Sequence, residues 1–207
     1  MAKFEILRDL LITERVISSE DIVPMDECPW DVLKLVHTAR YLTSLRDGTM
    51  TDREVRRMGL PWSEKLVERS RRAVQGTINA FRRAIDPPTG RPHLSGNLAG
   101  GTHHAHPDFA QGFCVLNDVA IAIRHLQHIS VIQNALVIDL DVHQGDVTAH
   151  IFEHDPRVYT FSMHGEKNFP FRKHPSDLDV GLPDETGDEA YLEAVESALE
   201  KVIDFEP

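Results

Sequence analysis

One stretch of the sequence decides the predicted fold: ALVIDLDVHQGD, at residues 135–146. Its first part, residues 135–142, is a short apolar run that ends in acids, which is typical of a strand buried in a parallel sheet. Two further strands are predicted at residues 157–164 and 177–182, with helical patterns around them. This alternation of strands and helices predicts an α/β fold in which helices cover a mainly parallel sheet.

Helical patterns dominate the remainder of the chain. We predict one domain over residues 1–207, in which 1–96 is mostly helical and 97–207 combines strands and helices. Apolar spacing and capping signals place the helices at 3–17, 30–48, 51–59, 63–85, 113–128 and 186–203. Proline and glycine predict a loop at 86–96, and a short strand is expected around 97–99.

Composition limits the classes of function. The chain has 207 residues and a net charge of −11 with histidine neutral, which disfavours non-specific contact with nucleic acid or anionic membranes. No apolar run approaches the length needed to span a bilayer. Cys28 and Cys114 lack metal-site spacing and are too few for a disulfide framework, which favours a reducing compartment. We therefore predict a soluble, cytoplasmic protein that binds neither nucleic acid nor membranes.

The acidic end of the first strand predicts a metal site. Asp139, Asp141 and His143 alternate along a segment expected to be extended, so their side chains should share one side of the backbone. Such charges are costly at the end of a buried strand unless a cation compensates them. An Asp-x-His pair suits zinc or iron, while Asp139 is better placed to orient another imidazole. The alternative is a loop whose aspartates cap the next helix, and the short Asp-x-His pattern alone favours that alternative.

A second cluster is GGTHHAH, at residues 100–106. Its glycines allow close backbone approach. His103 and His104, together with Asp139 and Asp146, would form two His–Asp pairs of the kind used in general acid–base catalysis. For a bare His-His dipeptide, the alternative is a histidine-rich surface loop. Six other histidines, for which the sequence identifies no partner, are also interpreted as lying on helix surfaces or loops: His93, His106, His125, His128, His150 and His154.

These motifs together resemble those of a known family. GGTHHAHPDFAQGFCVLNDVAIA, at residues 100–122, followed by LVIDLDVHQGD, at 136–146, closely resembles the histone deacetylase superfamily. RVYTFSMHGEKNFPFRKHPSDLDVGLP, at 157–183, is most similar to its class IV and related bacterial deacetylase-like members. The similarity extends over essentially the whole chain. It implies a three-layer, arginase/deacetylase-like α/β fold and a zinc-dependent hydrolase that removes acyl (acetyl) groups from lysine-like amines.

The resemblance also implies roles for individual residues. It implies that Asp141 and His143 are two of three zinc ligands. It implies that the acid–base residues are His103, paired with Asp139, and His104, paired with Asp146. The implied substrate tunnel is lined by Gly112, Phe113 and Phe169, and the implied monovalent-cation site, which usually holds potassium, by Asp139 and Ser162. The implied substrate is an acetylated lysine or an acetylpolyamine-like small amide.

The sequence departs from the family pattern in three places. In the family, the third zinc ligand and the oxyanion-stabilising tyrosine follow the segment in which this chain ends. The family also has a strand that would precede Met1. We therefore expect an incomplete domain that lacks that strand and those two groups. Val147 replaces the usual glycine and is expected to stiffen or distort the turn that holds Asp146. Two functions stay open: a zinc-dependent deacylase, active in the intact protein, and a non-catalytic binding or oligomerising relic of the fold.

Overall fold

A computed structural model describes residues 2–205. Within this range the α-helices are α1 (Ala2–Thr13), α2 (Trp30–Leu33), α3 (Ala39–Asp47), α4 (Asp52–Met58), α5 (Glu64–Ile85), α6 (Asp118–His128), α7 (Asp146–Phe152) and α8 (Asp188–Val202). A 3-10 helix lies at Ser19–Asp21. The strands are β1 (Ala135–Asp139), β2 (Val158–Gly165) and β3 (Leu178–Leu182).

The three strands form one parallel sheet in the order β1-β2-β3. Side chains alternate across it, so its two faces pack against different helices. On one face Val158 and Val137 contact Phe152 of α7 and Ile123 of α6. On the other face the sheet packs against α8, through Phe161, Met163, Ala198 and Val202. The structure therefore confirms the predicted α/β fold, with a parallel sheet between helical layers.

Two predicted helices have different bounds in the structure. The helix predicted at 30–48 is two helices, because α2 ends at Leu33 and Thr38 begins α3 by accepting a hydrogen bond from the Tyr41 amide. The helix predicted from residue 113 begins only at Asp118, where the side chain of Asn117 caps it. In both cases an N-cap side chain inside the apolar pattern sets the start of the helix.

Several smaller boundaries also differ. Helix α1 ends at Thr13, and residues 97–99 form no strand. Helix α8 begins after Gly187, whereas the sequence predicted that it would begin at Thr186. The capping box at Thr51 is confirmed, with a Glu54 carboxylate accepting from the Thr51 amide at 2.8 Å. None of the described helices combines the length and the apolar composition needed to cross a membrane.

Candidate active site

His103 and His104 lie in the loop between α5 and α6, and a buried carboxylate fixes that loop. Asp118, at 0% exposure, begins α6. It accepts hydrogen bonds from the Gly101 amide at 3.1 Å, from the Thr102 amide at 2.7 Å and from the hydroxyl of Thr77 on α5. Because these donors come from two elements, Asp118 sets the path by which the chain enters the histidine pair.

His103 is held by an aspartate at the end of β1. It is 8% exposed, and its Nδ1 lies 2.5 Å from Asp139 Oδ2. Burial alone would lower the pKa of His103, but the hydrogen bond and negative charge of Asp139, with the charge of Asp141, raise it above its ordinary value. The pair therefore makes His103 a stronger base than an unpartnered buried imidazole.

His104 has the same arrangement with a different carboxylate. It is 4% exposed, and its Nδ1 lies 2.7 Å from Oδ1 of Asp146 in the first turn of α7. The two imidazole rings are 4.1 Å apart between centroids. His104 Nε2 is buried and has no hydrogen-bond partner among residues 2–205. A buried ring nitrogen is costly to leave unpaired, so this atom is suited to exchanging a proton with a bound molecule.

Asp141 and His143 lie beside this pair at the rim of the sheet. His143 Nδ1 is 2.9 Å from Asp141 Oδ1, and Asp141 Oδ1 is 4.0 Å from His103 Nε2. Partial burial opposes ionisation of Asp141, but hydrogen bonds from His143 and the electrostatic attraction of His103 hold the pKa of Asp141 below its ordinary value. The side chains of Asp141 and His143 are 53% and 41% exposed. A carboxylate and an imidazole on one rim can provide two ligands to a zinc ion.

The backbone that brings these groups together differs from the prediction. Strand β1 ends at Asp139, so Asp141 and His143 are not on an extended strand. Instead, the Asp141 amide donates to Asp139 Oδ1 at 3.0 Å, and the His143 amide donates to Asp141 Oδ1 at 2.8 Å. In each case the carboxylate accepts a hydrogen bond from the backbone amide two residues further along the chain, which bends the chain into a turn. These two successive turns bring the side chains of Asp139, Asp141 and His143 together.

Close packing surrounds Asp139. A Cβ atom at Gly145 would lie 2.3 Å from Asp139 Oδ2, the oxygen that meets His103. Ser162 faces Asp139 across the β1–β2 register and is 1% exposed. Its hydroxyl accepts from the Gly145 amide at 3.2 Å and lies 3.2 Å from His164 Nδ1. Ser162 thus supports the turn that carries Asp146.

The three residues predicted to line a substrate tunnel occupy different surroundings. The rings of Phe169 and His104 meet edge to face, with centroids 4.9 Å apart. Gly112 lies directly against His104, since a Cβ there would be 3.0 Å from the imidazole Cδ2. Phe113 is 68% exposed, and its ring lies over Gly59 at the end of α4.

The expected distortion at Val147 was wrong. Val147 is fully buried in α7, and the neighbouring Asp146 reaches His104 at 2.7 Å. A β-branched side chain is accommodated here because the residue lies in a helix and fills the core beneath it.

Sequence reasoning missed one histidine that supports the site from the helical portion. His37 is 2% exposed, and its Nε2 accepts from the Asn117 amide at 3.1 Å. Its Nδ1 must therefore carry the proton that is shared with the His106 carbonyl at 2.9 Å. The contact between His37 Nε2 and the Asn117 amide spans 80 residues of sequence, and no local signal predicts it.

Comparisons with known proteins identify the family and the fold of this chain. A model of the histone deacetylase domain matches residues 1–207. The chain is 46% identical over 205 residues to an uncharacterized protein of Picosynechococcus sp., and 30% identical over 223 residues to the acetoin utilization protein AcuC of Staphylococcus aureus. These matches cover 98% and 99% of this chain. The crystal structure of an HDAC homolog from Aquifex aeolicus superposes on 93% of it, with a TM-score of 0.79 and 26% identity.

The chain spans less than two thirds of each of these relatives. It covers 66% of the Picosynechococcus protein, 57% of AcuC and 56% of the Aquifex chain. The matching family model, the related sequences and the shared arginase/deacetylase-like fold nevertheless agree over nearly all of the residues present. This chain belongs to the histone deacetylase family.

Proposed function

We propose that this chain supplies the acid–base groups and two metal ligands of a zinc-dependent hydrolase that removes acyl groups from lysine-like amines. Family membership supports an acyl-removing hydrolase in general. One observation carries the finer proposal: two adjacent buried imidazoles each meet their own carboxylate through Nδ1, 4.1 Å apart between ring centroids. Asp141 and His143 lie beside them.

The donor set fits a zinc ion. Asp141 offers an anionic oxygen, since its pKa is lowered, and His143 offers an imidazole nitrogen. No third His, Cys, Asp or Glu ligand atom within residues 2–205 joins these two at metal-binding spacing. Zinc, when bound, polarises an acyl carbonyl and lowers the pKa of water to about 7. The residues of this chain then have to move protons.

The two His–Asp pairs are suited to that task. Asp139 raises the pKa of His103, which favours its accepting a proton from the attacking water at Nε2. Asp146 fixes the orientation of His104, whose unpartnered Nε2 is placed to donate a proton to the leaving amine. The carboxylates stay in contact with Nδ1 throughout, so each imidazole exchanges its proton at the opposite nitrogen.

The proposed substrate is a small acyl amide on a slender chain, such as an acetylated lysine or an acetylpolyamine. Phe169 and Gly112 both lie against His104, which supports a narrow approach to that imidazole. The net charge of −11 is compatible with an acyl amide that keeps positive charge elsewhere in the molecule, as an acetylpolyamine does. A similar solved structure is that of an HDAC homolog complexed with SAHA, and we propose that SAHA also binds to this site.

The proposal is tested by acetate release from an acetyl-lysine reporter by a zinc-loaded, C-terminally extended form of this chain, which adds the third ligand and the tyrosine that the family resemblance implies. We expect turnover that a zinc chelator removes and that added SAHA inhibits. Tight binding of an acyl-lysine peptide without turnover would contradict the hydrolase and support the alternative, a non-catalytic binding or oligomerising relic of the fold.

Two further assignments belong to this proposal. The first is a potassium ion bound near Asp139 and Ser162. It would lie beside the turn at Gly145, whose amide donates a hydrogen bond to the Ser162 hydroxyl. A reducing, cytoplasmic location is supported by Cys28 and Cys114, which are both buried free thiols.

A further inference from the structure

A second group of side chains of the types that ligate metals lies at the C-terminal end of α7 and in the loop at residues 169–174. His174 Nε2 is 3.1 Å from Glu153 Oε2, and His150 Nδ1 is 3.8 Å from the same oxygen. The ligand atoms of these three residues all lie within 4.8 Å of one another. In the described part of the chain, this is the one group of three such residues that meets that spacing.

Helix geometry brings the first two residues together. His150 and Glu153 are three positions apart, which places side chains on the same face of a helix. His150 is an exposed surface histidine, as the sequence interpretation has it, but it has two neighbours that the sequence did not identify, Glu153 and His174. Its ring also meets that of His174 edge to face, with centroids 4.6 Å apart.

A buried glutamine positions the third residue independently of its imidazole. Gln144 is 1% exposed and lies next to His143 in sequence. Its Nε2 donates to the His174 carbonyl at 2.8 Å, and its Oε1 accepts from the His174 amide at 3.1 Å. Because both backbone groups of His174 are fixed, its side chain meets Glu153 from a defined position, so little ordering is required on binding.

We propose that His150, Glu153 and His174 form a second site for a divalent transition metal, which ties the loop at residues 169–174 to α7. Two imidazoles and one carboxylate are a ligand set that zinc prefers, and one that disfavours calcium and magnesium. Tetrahedral ligands at about 2.1 Å from zinc lie about 3.4 Å from one another. The separations of Glu153 Oε2 from His174 Nε2 and His150 Nδ1, 3.1 and 3.8 Å, bracket that value.

The surroundings leave room for a fourth ligand. His150 and His174 line a cleft of about 450 Å³ that Phe169 also borders. The side chains of His150, Glu153 and His174 are 46%, 40% and 31% exposed, so water and metal can reach them. The nearby ammonium of Lys173 is turned to the carbonyls of Asn168 and Pro170, at 2.8 and 3.1 Å.

The alternative is a metal-free cluster in which His174 is hydrogen-bonded to Glu153 and His150 lies beside them. Metal-binding measurements distinguish this alternative from the proposed site. Co²⁺ is titrated into the chelator-treated full chain carrying Asp141→Ala, which removes a ligand from the rim site. We expect one remaining equivalent, with the visible absorption of tetrahedral or five-coordinate cobalt. Adding His150→Gln and His174→Gln should weaken Co²⁺ binding at least a hundredfold, because two of three protein ligands are lost.

His154→Gln, added to Asp141→Ala, is the matched control, since His154 is exposed and follows Glu153 directly. It should bind Co²⁺ as tightly as Asp141→Ala alone. Zn²⁺ should also raise the thermal midpoint of the Asp141→Ala protein, and not that of the triple variant. Equal Co²⁺ affinity in the triple variant and the control, or no Co²⁺ bound by Asp141→Ala, would overturn the proposal. None of these readouts depends on hydrolysis, so their outcome is separate from that of the proposed deacylase.

Discussion

The two parts of the candidate active site differ sharply in how they are held. His103 and His104 are 8% and 4% exposed, and each is fixed by a carboxylate. Asp141 and His143 are 53% and 41% exposed, and they are held mainly by hydrogen bonds to each other. The proposed acid–base part is thus organised by the core of this chain, whereas the proposed metal-binding rim gains little from that core. Substitutions in the two parts should therefore have different consequences.

The largest effect is expected from Gly145→Ala, which disturbs the buried part directly. Its Cβ would lie 2.3 Å from Asp139 Oδ2, so the carboxylate must leave His103. We expect turnover of the acetyl-lysine reporter to fall at least about a hundredfold, since a misplacement of about 1 Å has that effect on catalysis. Unfolding in urea should also show a loss of about 1–3 kcal/mol from overpacking.

Gly96→Ala is the control for this variant, because a Cβ at Gly96 has no atom within 4 Å. It should retain turnover and stability. Normal turnover in Gly145→Ala would show that the Asp139–His103 contact does not matter for the reaction.

Asp118→Asn should produce the next largest effect, on stability. Asp118 accepts from the Gly101 and Thr102 amides and from the Thr77 hydroxyl while fully buried. The side-chain amide of asparagine would point its own N–H donor at one or more of these donors, so hydrogen bonds would be lost in a buried site. We therefore expect the free energy of unfolding to fall by about 2–3 kcal/mol. An unchanged urea midpoint would contradict the role of Asp118 in holding the histidine loop.

A smaller effect is expected from acidification, through His37. Burial, which outweighs the hydrogen bonds at His106 and Pro107, lowers the pKa of His37 to about 4. The unfolded chain binds this proton near pH 6.5, but the folded chain does not, so stability is lost as pH falls. From pH 7 to pH 5 this amounts to about 2 kcal/mol. His37→Gln removes the titrating group, and a pH dependence equal to that of the unsubstituted protein would contradict the assignment.

The smallest effect on stability is expected at the rim. His143→Gln should change the free energy of metal-free unfolding by less than about 0.5 kcal/mol, because its side chain is 41% exposed. Zinc should stabilise this variant less than the unsubstituted protein, since one ligand is lost. A loss of several kcal/mol without metal would show that the rim is part of the core, and the contrast between the two parts would fail.

The sequence predicted the order of strands and helices because apolar runs and capping residues are local signals. The capping box at Thr51 is one example, since both partners lie within three residues. The end of β1 was not predicted. Leu140 and Val142 continue the apolar pattern, but hydrogen bonds from the Asp141 and His143 amides to aspartate side chains replace the strand ladder.

Contacts between segments that are far apart in the sequence could not be predicted from local sequence patterns either. The motif HQGD drew attention to His143 and Asp146, yet Gln144 between them holds the His174 backbone 30 residues away. His37 supports Asn117 across 80 residues. Neither residue has a neighbour in sequence that indicates its partner, so only the folded chain identifies them.

The most direct test of the account compares zinc content and acetyl-lysine turnover in His104→Ala and Asp141→Ala variants of the C-terminally extended protein. We predict that His104→Ala keeps the zinc of the unsubstituted protein and loses turnover, because His104 moves a proton and binds no metal. Asp141→Ala should lose one equivalent of zinc together with turnover. Retained turnover in Asp141→Ala, or loss of zinc in His104→Ala, would contradict the division of the site into a buried acid–base part and a metal-binding rim.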